Sequence, residues 1–126
     1  MSLPRMFSVV LLAATLPASA FAQPATATQT IHLSNFKILP VPIQLGAGQP
    51  VTLVIVNDSG SGHDFTAKEF FARARITAGA APNGKLQFAG HETKSITLVP
   101  AAGSYPAHCS HFLHAGFGMK DTIVVR

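Results

Sequence analysis

The chain has 126 residues, one domain's worth, with nine Lys and Arg against five Asp and Glu and a formal net charge of +4. The positive residues are scattered, with no basic run and no interleaved stacking aromatics, which argues against a nucleic-acid binder and leaves a soft preference for an acidic partner or surface. Cys109 is the only cysteine, so no internal disulfide can form and the thiol is a reactive group, an intermolecular partner or a metal ligand.

The opening segment reads as a secretory signal peptide over residues 1–22. Arg5 precedes an apolar run from Met6 to Leu16, Pro17 breaks it, and Ala20 and Ala22 are the small residues of a cleavage site before Gln23. The run is shorter than the roughly 20 residues that span a bilayer, and no later stretch resembles a membrane span. Export to the periplasm is the expectation. Met1 and Met6 leave with the leader, which makes Met119 the one methionine of the mature chain.

Residues 23–29 are small and polar and read as a disordered lead-in to a single domain over residues 30–126. Short apolar stretches then alternate with turn residues, the pattern of an all-β sandwich or barrel. Thr30 to Phe36 is a first strand with Ile31, Leu33 and Phe36 facing inward, and Val41 to Leu45 is a second. Gln49 to Asn57, rich in β-branched residues, is the clearest strand and ends in a turn through Gly62. Thr66-Ala-Lys-Glu69 fits a capping box and predicts a short helix from Ala67 to about Arg75, with Phe70, Phe71 and Ala74 on one face. That helix is expected to pack on the sandwich; Lys68, Arg73 and Arg75 are an alternative docking patch for an acidic redox partner. Residues 77–84 read as a loop. Lys85 to Phe88, Thr93 to Val99, Gly103 to Cys109 and Asp121 to Val125 complete the strands.

The last of these connections carries the chemistry. Cys109, three histidines (His108, His111, His114) and Met119 lie on or beside one short loop. Thiolate and thioether are soft ligands suited to Cu(I), and imidazole holds copper in both oxidation states. One further imidazole from elsewhere would complete a trigonal plane of two His and one Cys with a weak axial Met, an electron-transfer copper site.

The pattern Cys109-x4-His114-x4-Met119, followed by Lys120 to Val125, resembles the ligand loop and last strand of the cupredoxins. Val54 to Asn57 followed by His63-Asp64-Phe65 resembles the approach to that family's first ligand histidine, and Pro100 to Tyr105 the approach to its cysteine. The resemblance implies a Greek-key cupredoxin-like β-sandwich with one short helix. It also implies one copper ion, with His63, Cys109 and His114 equatorial and Met119 axial. Two positions depart from the commoner pattern: Phe112-Leu113 stands where Pro-Gly is frequent, and Asp64 where Asn is frequent. His108 and His111 crowd the site, either as exposed loop imidazoles or as a place that captures copper or docks a partner. His32 and His91 are expected at the surface.

These readings converge on a periplasmic type 1 copper protein, a monomer that transfers one electron at a time between transient redox partners and is not an enzyme. Phe112, Leu113 and Phe117 would form an apolar docking patch around His114. The alternative is a copper-tolerance protein that binds or oxidises Cu(I) and meets a copper-exporting or copper-handling protein.

Overall fold

A computed structural model describes residues 2–4, 8–19, 25–111 and 119–126. In chain order these form β1 (Ala27–Ser34), β2 (Lys37–Leu39), β3 (Ile43–Leu45), β4 (Val51–Asn57), β5 (His63–Thr66), helix α1 (Lys68–Arg73), β6 (Arg75–Ala78), a 3-10 turn (Pro82–Gly84), β7 (Lys85–Phe88), β8 (Thr93–Val99), β9 (Gly103–His108) and β10 (Lys120–Val125). The strands make two five-stranded sheets, ordered β2-β1-β4-β8-β6 and β3-β10-β9-β5-β7. The expected β-sandwich with one short helix is what the chain builds. No helix among the described residues is long and apolar enough to cross a membrane.

Alternation of side chains decides which face is buried. In β4, Val51, Leu53, Ile55 and Asn57 point inward and Thr52, Val54 and Val56 are half-buried between them. β1 runs parallel to β4 with Ile31 opposite Ile55, and β8 runs antiparallel to it with Ile96 opposite Leu53. The second sheet contributes Tyr105 and Ile123, paired across β9 and β10. Burying each such aliphatic side chain contributes about 1.5–3 kcal/mol, so these inward rows hold the two sheets together.

Four local expectations need correction. β1 begins at Ala27, not Thr30, because Ala27 to Leu33 pair in register with Val51 to Asn57; ladder hydrogen bonds do not require apolar side chains. Phe36 is 46 % exposed, since it occupies the β1–β2 turn at φ +66° rather than an inward strand position. The helix ends at Arg73, and Arg75 starts β6, where it pairs with Val99; residues 77–84 hold the end of β6 and the 3-10 turn as well as loop. Thr66 is no helix cap: Ala67 occupies that position without a side-chain cap, and the Thr66 hydroxyl donates to Asp64 Oδ1 at 2.6 Å. A buried carboxylate is the stronger acceptor for that hydroxyl.

The loop from β4 to β5 is fixed from within. Asn57 Nδ2 donates to the carbonyls of Ser61 (2.7 Å) and Ala89 (2.9 Å), while its Oδ1 accepts from the Ser59 amide (3.1 Å) and hydroxyl (2.9 Å). Gly90 lets the β7–β8 turn close on this loop, since a Cβ there would lie 2.3 Å from the Gly60 oxygen. The loop therefore delivers His63 to one position. Asn57→Ala removes all four hydrogen bonds of this buried side chain and is expected to destabilise the protein by about 1–3 kcal/mol. Urea unfolding checks it; an unchanged midpoint would mean that water replaces the amide at no cost.

Candidate metal centre

Three of the four expected ligands lie on strand ends of the second sheet. Cys109 directly follows β9 and Met119 directly precedes β10, and the Cys109 amide donates to the Met119 carbonyl at 3.0 Å. The next residues out, His108 and Lys120, are paired across the two strands, so the loop is tied at its base. His63 opens β5, the other neighbour of β9. Cys109 and Met119 are fully buried and His63 is 2 % exposed. His114 lies outside the described residues, as do Phe112, Leu113 and Phe117 of the expected docking patch.

The thiol is set in a ring of donors. The Asp64 amide donates to Cys109 Sγ at 3.4 Å, and the His111 amide donates to it as well. Burial pushes the Cys109 thiol above its ordinary value, while those two N–H groups favour the thiolate. A cation in the site would complete what the amides begin, because a metal deprotonates a coordinating thiol outright.

His63 is oriented from the opposite sheet. Its Nε2 lies 3.2 Å from Asn35 Oδ1, on the turn after β1. An amide oxygen only accepts, so this contact favours the tautomer with the proton on Nε2. Nothing in the spacing of the sequence singles out Asn35, since only the packing of the two sheets brings it to His63.

Asp64 holds the first turn of the ligand loop. Its Oδ1 accepts from the Ser110 amide (2.8 Å) and the Thr66 hydroxyl (2.6 Å), and its Oδ2 accepts from the Ser110 hydroxyl (2.7 Å). Burial pushes this carboxyl up, but the hydrogen bonds from Thr66 and Ser110, with help from the Lys85 charge, outweigh burial and hold it below the usual carboxylate range. His111 Nε2 lies 3.5 Å from Oδ2. One nitrogen of His111, Cys109 Sγ and one Asp64 oxygen all fall within 4.8 Å of one another. Nothing in the ligand spacing marks this carboxylate network; Ser110, next to the cysteine, is its one readable clue.

The remaining histidines lie apart. His108 alternates with Ala107 and Cys109, so it is on the outward face of β9, half-buried beside Pro106 and Lys120. His32 is exposed and ion-paired to Asp58 at 2.8 Å, and His91 is exposed. The helix behaves as packing: Phe70 stacks edge-on against Phe71 (5.1 Å) and Tyr105 (5.6 Å). Arg73 lies 5.6 Å over the Tyr105 ring, a cation–π contact.

Buried Asp121 has a carboxyl pushed up by burial, and its Oδ2 has no hydrogen-bond partner. Removing the better-satisfied acid should cost more. Asp64→Ala leaves the Ser110 and Thr66 donors without their acceptor and is expected to lower stability of the metal-free protein by about 1–3 kcal/mol, with Asp64→Asn losing less because it keeps Oδ1. Equal losses in urea unfolding would contradict this ranking.

No family model matches the sequence, and no curated protein matches it significantly. Solved structures do match in fold. Auracyanin from Roseiflexus castenholzii superposes with a TM-score of 0.61 at 19 % identity, over 81 % of this chain and 98 % of its own. Auracyanin A from Chloroflexus aurantiacus, a "blue" copper protein, gives 0.56 at 19 % identity over 79 % and 100 %. A laccase from Pediococcus acidilactici gives 0.64 at 16 % identity, covering 90 % of this chain but 29 % of the larger enzyme. Two stacked sheets, with a buried cysteine and methionine at the two ends of the loop between β9 and β10, thus stand beside copper-protein folds, and the architecture of this chain is that of the cupredoxins.

Proposed function

We propose that this chain binds one copper ion and passes single electrons between redox proteins in the periplasm, and that His63, Cys109, His114 and Met119 would hold the ion. The observation that carries the reading is the setting of Cys109. A fully buried thiol that accepts two backbone N–H groups, on a loop closed at its base by the Met119 carbonyl, is built for a thiolate that water cannot reach.

The donor set fits copper. Imidazole, thiolate and thioether suit Cu(I) and Cu(II), whereas a thioether adds little for zinc, which favours tetrahedral nitrogen and thiolate donors. Bound there, copper supplies the one-electron change. Cys109 provides the covalent route from the site into β9, His63 is held by Asn35, and Asp64 fixes the start of the loop through Ser110. A site held this firmly changes little between oxidation states, which is what a carrier requires. Auracyanin A, a "blue" copper protein of the same fold whose whole chain is covered, supports the copper part of this reading. A copper-tolerance role is the second reading, favoured by one observation: an exposed imidazole, His111, beside the buried sulfur.

Titrating purified protein with Cu(II) is expected to produce an intense visible thiolate-to-copper band that saturates at one equivalent and is absent in Cys109→Ser. A colourless protein that takes up zinc tightly would refute the reading. Met119→Leu is expected to keep the band and raise the reduction potential, because a more apolar site with one donor fewer disfavours the more highly charged oxidised ion. Voltammetry reads the shift, and an unchanged potential would remove Met119 from the proposed ligands.

A further inference from the structure

Resting on the copper reading above, a second question is how an ion reaches ligands that solvent does not touch. Cys109 and Met119 are fully buried and His63 is 2 % exposed, so a hydrated ion does not meet them first. His111 stands outside them. Its side chain is 41 % exposed, its ring centroid is 6.3 Å from that of His63, and one of its nitrogens lies within 4.8 Å of Cys109 Sγ. Ligand bonds of about 2.0 Å to nitrogen and 2.3 Å to sulfur put two donors on one ion at most about 4.3 Å apart, so the His111 ring has to turn toward the sulfur for the two to share it.

Asp64 has a different part in this cluster. Its Oδ1 is taken by Thr66 and the Ser110 amide and its Oδ2 by the Ser110 hydroxyl, so it is better placed to aim the His111 ring than to bind the ion. Its negative charge also favours a cation arriving at this spot. His108, the other imidazole beside the cysteine, faces outward from β9 among Pro42, Pro106 and Lys120 and has no such geometry.

We propose that His111 is the uptake ligand of this protein: it takes a copper ion from solvent, holds it with the Cys109 sulfur, and yields it to His63 by exchange of one imidazole for the other. No electron moves in this exchange. The copper–His111 bond is replaced by a copper–His63 bond, and the thiol proton leaves to solvent as the sulfur binds. His111 is then free of the ion in the loaded protein, which separates it from the resting ligands.

Stopped-flow mixing of the metal-free chain with one equivalent of Cu(II), read at the charge-transfer band, tests this. His111→Ala is expected to load at least tenfold more slowly and to reach the same final band; release to an external chelator should slow as well, since the same route runs in reverse. His111→Gln, which keeps a donor facing Asp64, should show the same slowing and serves if the alanine variant does not fold. His108→Ala should load at the parent rate. Parent-rate loading in both His111 variants would overturn the proposal, and so would loss of the final band, which would make His111 a resting ligand. Absence of the band in the parent protein would instead sink the copper reading itself.

Discussion

The hydrogen bond from the Cys109 amide to the Met119 carbonyl, 3.0 Å long, is the constraint on which the rest of the site depends. It continues the β9–β10 ladder by one step beyond the His108–Lys120 pair, so the last paired residues of two strands deliver the thiol and the thioether together. A slip of one residue in that ladder would turn Cys109 out of the core and bring His108 in, because successive strand residues face opposite sides. Tyr105 opposite Ile123 and Ala107 opposite Asp121 hold the register, with Tyr105 anchored by its hydroxyl to the carbonyls of Ala101 (2.9 Å) and Ala102 (3.0 Å). The packing of the sandwich thus sets the chemistry at its end.

Electrostatics at that end consist of opposing costs. Burial disfavours both the Cys109 thiolate and the Asp64 carboxylate, and each is offset by N–H or O–H donors drawn from β5 and the loop after β9. Asp64 joins the two groups, since its amide donates to the sulfur while its side chain holds Ser110. An Asn here would keep the amide and lose the charge. The carboxylate therefore places one negative charge beside the proposed copper ligands, a feature that would lower the potential of a bound cation relative to an otherwise identical site with a neutral side chain.

Much of this was legible in the sequence, for physical reasons that can be named. Alternation in Val51 to Asn57 and the β-branched runs of β8 and β10 marked strands because one face of each is buried. Cys109 and Met119 stood out because each is the last sulfur of its kind after the expected leader, and their spacing matched a ligand loop. What escaped was set by partners distant in sequence. β1 starts at Ala27 because β4 offers it a ladder, Thr66 forgoes the helix because Asp64 lies closer, and Asn35 meets His63 only once two sheets are stacked. Those contacts leave no mark on local composition.

The central claim is that Cys109 supplies a thiolate to copper together with imidazole nitrogen. X-ray absorption at the copper edge of the loaded protein tests it most directly, because it counts and identifies the atoms bound to the ion. The account predicts one short copper–sulfur bond and two imidazole nitrogens, with the short sulfur missing in Cys109→Ser. A shell of nitrogen and oxygen alone in the parent protein would contradict it.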